Sequence, residues 1–219
     1  MKISVLTLFP EMFSGPFDQS IVKRAIDKKL VSIDYINIRD FASDTYKSVD
    51  GHPYGGGVGM ILRVDVVDRA LQSIKKGHTI LLDAAGEPYK QQKAKELSTL
   101  DHLILICGHY EGVDHRIRQL ADEEISIGDY VLTGGEIPAM ILVDSIVRLI
   151  PRVLEKSEAT VNESFTQSML EYPQYTAPQT YKGLKIPPVL LSGNHKKIDA
   201  WRKSEALKRT KTQRPDLTN

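Results

Sequence analysis

The segment Leu103-Ile104-Leu105-Ile106-Cys107-Gly108-His109-Tyr110-Glu111-Gly112 joins five consecutive apolar residues to a polar turn framed by two glycines. So short and unbroken an apolar run reads as a strand buried on both faces, the kind found inside parallel sheets. Two other segments repeat the design. Thr79 to Asp83 leads into Ala84-Ala85-Gly86, and Glu124 to Ile127 leads into Gly128-Asp129-Tyr130-Val131-Leu132-Thr133-Gly134-Gly135. Ile3 to Phe9 and Val31 to Ile38 supply two more strands. Between the strands, Phe17, Ile21, Val22, Ala25 and Ile26 recur at helical spacing, as do Val64, Val67, Leu71 and Ile74. Lys90 to Thr99 reads as a polar helix. Glu136 to Leu149 reads as a helix with so much apolar surface that burial on more than one side is expected. Strands alternating with helices predict an α/β domain with a largely parallel sheet.

In such sheets ligands bind outside the carboxyl ends of the strands, where glycines let the backbone approach closely. Three glycine-bearing loops side by side predict a pocket there. Its ligand is not an ordinary dinucleotide or nucleoside triphosphate, since neither G-x-G-x-x-G after a strand nor G-x-x-x-x-G-K-[ST] occurs. That argues against a dinucleotide-dependent oxidoreductase. The six histidines show no metal-ligand spacing. A fourth glycine cluster, Pro53-Tyr54-Gly55-Gly56-Gly57-Val58-Gly59-Met60, follows a polar stretch rather than a strand, and a loop closing over a substrate fits it best.

The 219 residues carry 29 Lys plus Arg against 28 Asp plus Glu, a net charge of +1. The balance is uneven along the chain. From Lys182 to Asn219 ten basic residues face three acids, a surplus of seven, so the remainder is acidic. A composition of 41% apolar and 26% charged residues is that of an ordinary globular protein, with no run long enough for a membrane span. Cys107, the single cysteine, has no partner for a disulfide and points to a reducing compartment, hence a cytoplasmic protein. After Pro151 the periodicity ends and proline pairs interrupt the chain, which predicts a main domain over residues 1–154, a linker over 155–175 and a small basic helical domain over 176–219. Ser192-Gly193-Asn194 marks the start of its helix, with Ile198, Trp201 and Leu207 as candidates for the inward face.

Four strings carry a family resemblance: Pro53 to Met60 above, Cys107-Gly108-His109-Tyr110-Glu111-Gly112-Val113-Asp114, Ser126 to Glu136, and Pro188-Val189-Leu190-Leu191-Ser192-Gly193-Asn194-His195. In this order they closely resemble the bacterial tRNA (guanine-N1)-methyltransferase family, TrmD, over nearly the whole chain. The resemblance implies a SPOUT methyltransferase, an α/β fold whose deep trefoil knot holds S-adenosylmethionine, with a small helical C-terminal domain. By that likeness the cofactor region is Leu82, Asp83, Ala84, Gly108, Tyr110, Glu111, Gly112, Ser126, Ile127, Gly128, Asp129, Tyr130, Val131, Leu132, Gly134, Gly135 and Pro138. Tyr54, Gly55, Gly56, Gly57 and Gly59 form the loop over the substrate.

The implied reaction methylates N1 of the guanosine 3′-adjacent to the anticodon where another guanosine precedes it, which maintains the reading frame. A SPOUT enzyme acting on a different RNA site is the nearest alternative. N1 of a neutral guanine carries a proton, so a carboxylate must accept it, and a cation should stabilise charge growing on the adjacent carbonyl oxygen. Arg148 matches the family's arginine. Glu163 occupies the place of its aspartate, one methylene longer. Ala84 and Ala177 also depart from the common proline and arginine. The likeness further implies a homodimer with its active site at the subunit interface, and tRNA contacts from Trp201, Arg202, Lys203, Lys208, Arg209 and Arg214. A magnesium (Mg2+) requirement comes with the family, although no residue pattern marks a metal cage.

Overall fold

A computed structural model describes residues 1–156, 160–161 and 163–218. Residues 157–159 and 162 of the expected linker, and Asn219, lie outside the described residues. The chain forms two compact units, Met1–Glu155 and Lys156–Asn219.

In the first unit, β1 (Lys2–Thr7), β2 (Ser32–Asn37), β5 (His78–Pro88), β6 (His102–Cys107) and β7 (Glu123–Ser126) form one sheet in the order β2-β1-β6-β5-β7. All its pairings are parallel. The five strands expected from apolar runs are the five in the sheet, which answers the α/β reading. Successive residues point to opposite faces, as the strand period requires. Ile80, Leu103 and Leu105 pack on one side with α1 (Ser20–Asp27), α3 (Gln91–Leu97) and α4 (Glu136–Val147). Leu81, Ile104 and Ile106 pack on the other with α2 (Val64–Gln72) and the 3₁₀ turn His115–Leu120.

Helix α4 is rich in Ile and Val, which are modest helix formers, so packing rather than propensity must hold it. Leu142, Val143, Ile146 and Val147 are fully buried, each contributing about 1.5–3 kcal/mol of transfer free energy. Ile137 and Ile141, one turn apart, stay exposed on the first unit's surface. Tyr89 fastens the helix from outside the sheet, its hydroxyl 2.8 Å from Ser145 Oγ. Burial pushes the Tyr89 phenol up to about 12.

One strand departs from expectation. β5 continues through Pro88, and both Leu82 and Glu87 align with Ile125 of β7. The intervening Asp83, Ala84, Ala85 and Gly86 therefore arch out of the sheet. Gly86 makes the return possible, because a Cβ there would stand 2.5 Å from the Ile125 nitrogen.

The second unit holds a hairpin of β8 (Thr180–Tyr181) and β9 (Leu184–Lys185), absent from the helical expectation, and α5 (His195–Gln213). Asn194 caps α5, its side chain accepting from the Lys197 amide at 3.1 Å. Ala206 and Thr210 form the buried face, whereas Leu207 is exposed. Thr210 Oγ1 donates to the Ala206 carbonyl and accepts from the Leu170 amide, so a small polar residue fills the place expected for leucine.

Candidate active site

At the carboxyl ends of β5, β6 and β7 three loops converge on an open pocket, the place where parallel sheets bind their ligands. All of the expected cofactor residues line it except Asp129. His109, Val113, Ile125 and Thr133 line it as well and were not expected there. Ile125 carried no signal because it reads as a plain strand residue. His109 and Val113 lay inside the quoted string, so its continuity was the signal available.

Each loop is shaped by a local device. Asp83 Oδ1 accepts from the Ala85 amide at 2.8 Å and lies 3.2 Å from Arg118 Nη2. Arg118 also pairs through Nη1 with Glu124, tying the β5 arch to β7. In the second loop Tyr110 adopts φ +64, and its hydroxyl accepts from Arg39. In the third, Ser126 Oγ accepts from the Gly128 amide, and Gly128 at φ +148 makes the turn that follows. Gly135 then passes against the end of β6, where a Cβ would stand 2.6 Å from Cys107 Cα. Cys107 itself is fully buried, and burial, then the Glu136 charge, raises its thiol well above the usual range, so it is inert.

The glycine cluster stands on a stem, β3 (Asp50–Gly51) paired with β4 (Ile61–Leu62). Its outgoing tip is open: Tyr54 is fully exposed. Its returning limb is fixed to the pocket, with the Glu111 amide donating to the Met60 carbonyl and the Leu62 amide donating to the Gly112 carbonyl. At Gly59 a Cβ would stand 2.4 Å from Glu111 Cγ. The structure thus joins the expected substrate loop to the pocket loop.

The two candidate catalytic groups lie in different units. Arg148 is half-buried at the C-cap of α4, in the first. Glu163 is half-buried in the second, where it lines a cavity with Gln167, Met169, Tyr172, Arg202 and Lys203. Of the expected tRNA-binding residues, Lys203, Lys208, Arg209 and Arg214 are exposed, and Arg202 is half-buried. The arginines have partners inside the unit. Arg202 lies 5.0 Å over the Tyr172 ring and 3.4 Å from Asp199; Arg209 donates to the Glu171 carbonyl; Arg214 forms a forked pair with Asp216. Trp201 is half-buried, its ring 6.4 Å from that of Tyr175. Among the described residues, no cluster of three or more His, Cys, Asp or Glu could hold a metal ion.

The model of the family described as tRNA (Guanine-1)-methyltransferase TrmD matches residues 1–219. The chain belongs to the TrmD family. It is 54% identical over 220 residues to the tRNA (guanine-N(1)-)-methyltransferase of Carboxydothermus hydrogenoformans, covering 99% of this chain and 87% of the relative. Proteins of that name from Dictyoglomus turgidum and Bacillus pumilus are each 53% identical, again over 99% of this chain and over 89% and 91% of theirs.

Proposed function

We propose that this protein is a tRNA (guanine-N1)-methyltransferase that modifies the guanosine 3′-adjacent to the anticodon where a guanosine precedes it. The observation that carries the reading is the convergence, in a TrmD-family chain, of three glycine loops on one pocket containing nearly every residue the family likeness assigns to S-adenosylmethionine. The pocket suits that ligand chemically. Leu82, Ile127, Leu132 and Pro138 offer apolar walls, the glycines expose backbone for an adenine edge, and Asp83 and Glu111 offer carboxylates toward a cation. A trefoil knot formed by the last two loops accords with the close passage of Gly135 against Cys107.

S-adenosylmethionine supplies an electrophilic methyl group. The chain's own residues must hold the guanine edge and manage one proton. Glu163 accepts the N1 proton as the new bond forms, and Arg148 stabilises the charge growing on the adjacent carbonyl oxygen. The glycine loop, open at Tyr54 and anchored at Glu111, covers the bound base.

Assembly as a homodimer would cover Ile137 and Ile141 and bring a second chain to the pocket. No helix among the described residues is long and apolar enough to cross a membrane, in keeping with a cytoplasmic enzyme.

Labelled S-adenosylmethionine and tRNA transcripts with or without the two adjacent guanosines test the reading. Label should enter only the transcript carrying both; transfer to neither refutes the activity, and indifferent transfer refutes the site. Single-turnover rates of Glu163→Gln test the base, and an unchanged rate would refute its role.

A further inference from the structure

Glu136, the first residue of α4, is a carboxylate only 2% exposed, beside Gly134 and Gly135 of the pocket wall. A buried carboxylate requires partners. One oxygen, Oε1, accepts from Thr7 Oγ1 at 2.7 Å. The other, Oε2, stands 4.0 Å from Nδ1 of His109, which lines the pocket. That nitrogen is buried and has no hydrogen-bond partner among the described residues. Two groups removed from water, each able to satisfy the other, thus face one another about 1 Å beyond hydrogen-bond distance. Gly134 keeps the gap clear: a Cβ there would lie 2.4 Å from Glu136 Oε2 and 2.6 Å from His109 Nδ1. The imidazole also packs against two rings, 4.8 Å from Phe9 and edge-on to Tyr110 at 5.1 Å.

We propose that Glu136 is a positioning residue for the cofactor pocket, acting through His109. By accepting a hydrogen bond from Nδ1–H it fixes the imidazole tautomer and orientation, leaving Nε2 as an acceptor. The ring in turn sets the loop from which Tyr110, Glu111 and Gly112 line the pocket. The proposal rests on the reading of that pocket as the S-adenosylmethionine site. A role confined to steadying the start of α4 would be indifferent to which nitrogen of residue 109 is retained, and the substitutions separate the two roles on that ground. Asn places its amide nitrogen where Nδ1 lies, whereas Gln places it nearer Nε2.

The test combines spectroscopy on the unaltered protein with binding to two variants. Imidazole ¹⁵N spectra of the full chain in weakly alkaline buffer, with and without S-adenosylhomocysteine, should show His109 as the Nδ1–H tautomer when the ligand is bound. His109→Gln should bind S-adenosylmethionine about tenfold more weakly than His109→Asn, the size of one hydrogen bond. An Nε2–H tautomer in the bound state, or equal losses for Asn and Gln, overturns the proposal. Failure of the unaltered protein to bind S-adenosylmethionine instead overturns the pocket reading, and the tautomer measurement distinguishes the two failures because it needs no variant to fold.

Discussion

Replacing Gly135 by Ala should damage stability and cofactor binding together. Gly135 has an ordinary φ of −81, so alanine brings no dihedral strain. The cost is steric. The new Cβ would meet Cys107 Cα at 2.6 Å, the Gly108 nitrogen at 2.9 Å and the Cys107 carbonyl carbon at 3.1 Å, where ordinary contact begins near 3.4 Å. These are backbone atoms at the end of a fully buried strand, so no rotamer change relieves the contact, and the chain at Gly135 must retreat by roughly 1 Å. The retreat stretches the hydrogen bond from the Gly135 amide to the Gly108 carbonyl, now 2.8 Å. Overpacking costs about 1–3 kcal/mol and a weakened hydrogen bond about 1 more, giving about 3 kcal/mol. For a unit of this size that lowers Tm by about 6–12 °C. A displacement of that order in a pocket wall is also enough to cost up to ~100-fold in rate. Gly51→Ala is the control, since its φ is not left-handed and its nearest neighbour is 4.0 Å away; its expected effect is within about 0.5 kcal/mol. Differential scanning calorimetry, titration with S-adenosylmethionine and single-turnover methylation read stability, binding and rate. If Gly135→Ala melts with Gly51→Ala and binds normally, the close crossing of the loop over β6 is wrong.

Arg118→Ala leaves Asp83 and Glu124 without the guanidinium that joins them; a loss on the order of 1 kcal/mol, roughly fivefold in the Kd for S-adenosylmethionine, is expected by calorimetric titration, and unchanged affinity refutes a role for the arch. Burial raises the Glu123 carboxyl, but hydrogen bonds from His78 and Lys93 outweigh it and leave it below its ordinary value. A carboxyl lowered on folding stabilises above its unfolded value, about 4.3, and that contribution disappears as pH falls through the folded value. Melting curves of the original protein and Glu123→Gln should therefore converge as pH falls below about 4, and parallel curves refute the linkage. Binding of tRNA should weaken by about 50- to 150-fold between about 50 and 200 mM salt if roughly four phosphates are neutralised, while cofactor binding hardly changes. Filter-binding titrations decide it, and equal salt sensitivity of both ligands refutes the division of labour.

The sheet was legible because its central strands are buried on both faces and so read as unbroken apolar runs. Where side chains cease to carry the pattern, legibility stops. Asp83 to Gly86 look like the end of a strand, yet β5 resumes beyond them because Gly86 tolerates the backbone of Ile125. Nothing in hydrophobic periodicity encodes such an approach. Most of the pocket was legible through the family likeness, and the contiguous strings placed His109 and Val113 near it. The Glu136 carboxylate was not, since a glutamate opening a helix ordinarily faces water and favours the positive end of the helix dipole. Only the packing of Thr7, Gly134 and His109 around it shows otherwise. In α5 the apolar Leu207 suggested the buried face, but the tight contact with Leu170 selects the smaller Ala206 and Thr210.

The basic surplus after Lys182 also changes meaning once its partners are known. A guanidinium held by a carboxylate fork, as Arg214 is by Asp216, must give up that pair before it can neutralise a phosphate. Arg202, over Tyr172 and beside Asp199, is similarly committed, and Arg209 is bound to the Glu171 carbonyl and Gln213. The three arginines therefore stabilise the second unit itself, holding α5 to Tyr172 and Glu171 and steadying the turn at Pro215–Leu217. Among the described residues the exposed Lys203 and Lys208 form no such side-chain pair. An ammonium on a flexible stem suits a sliding, sequence-independent phosphate contact, and a planar fork suits a fixed one. On this division replacing Lys203 or Lys208 is expected to flatten the salt dependence of tRNA binding in filter-binding titrations, whereas replacing Arg202, Arg209 or Arg214 is expected to lower the stability of the second unit first.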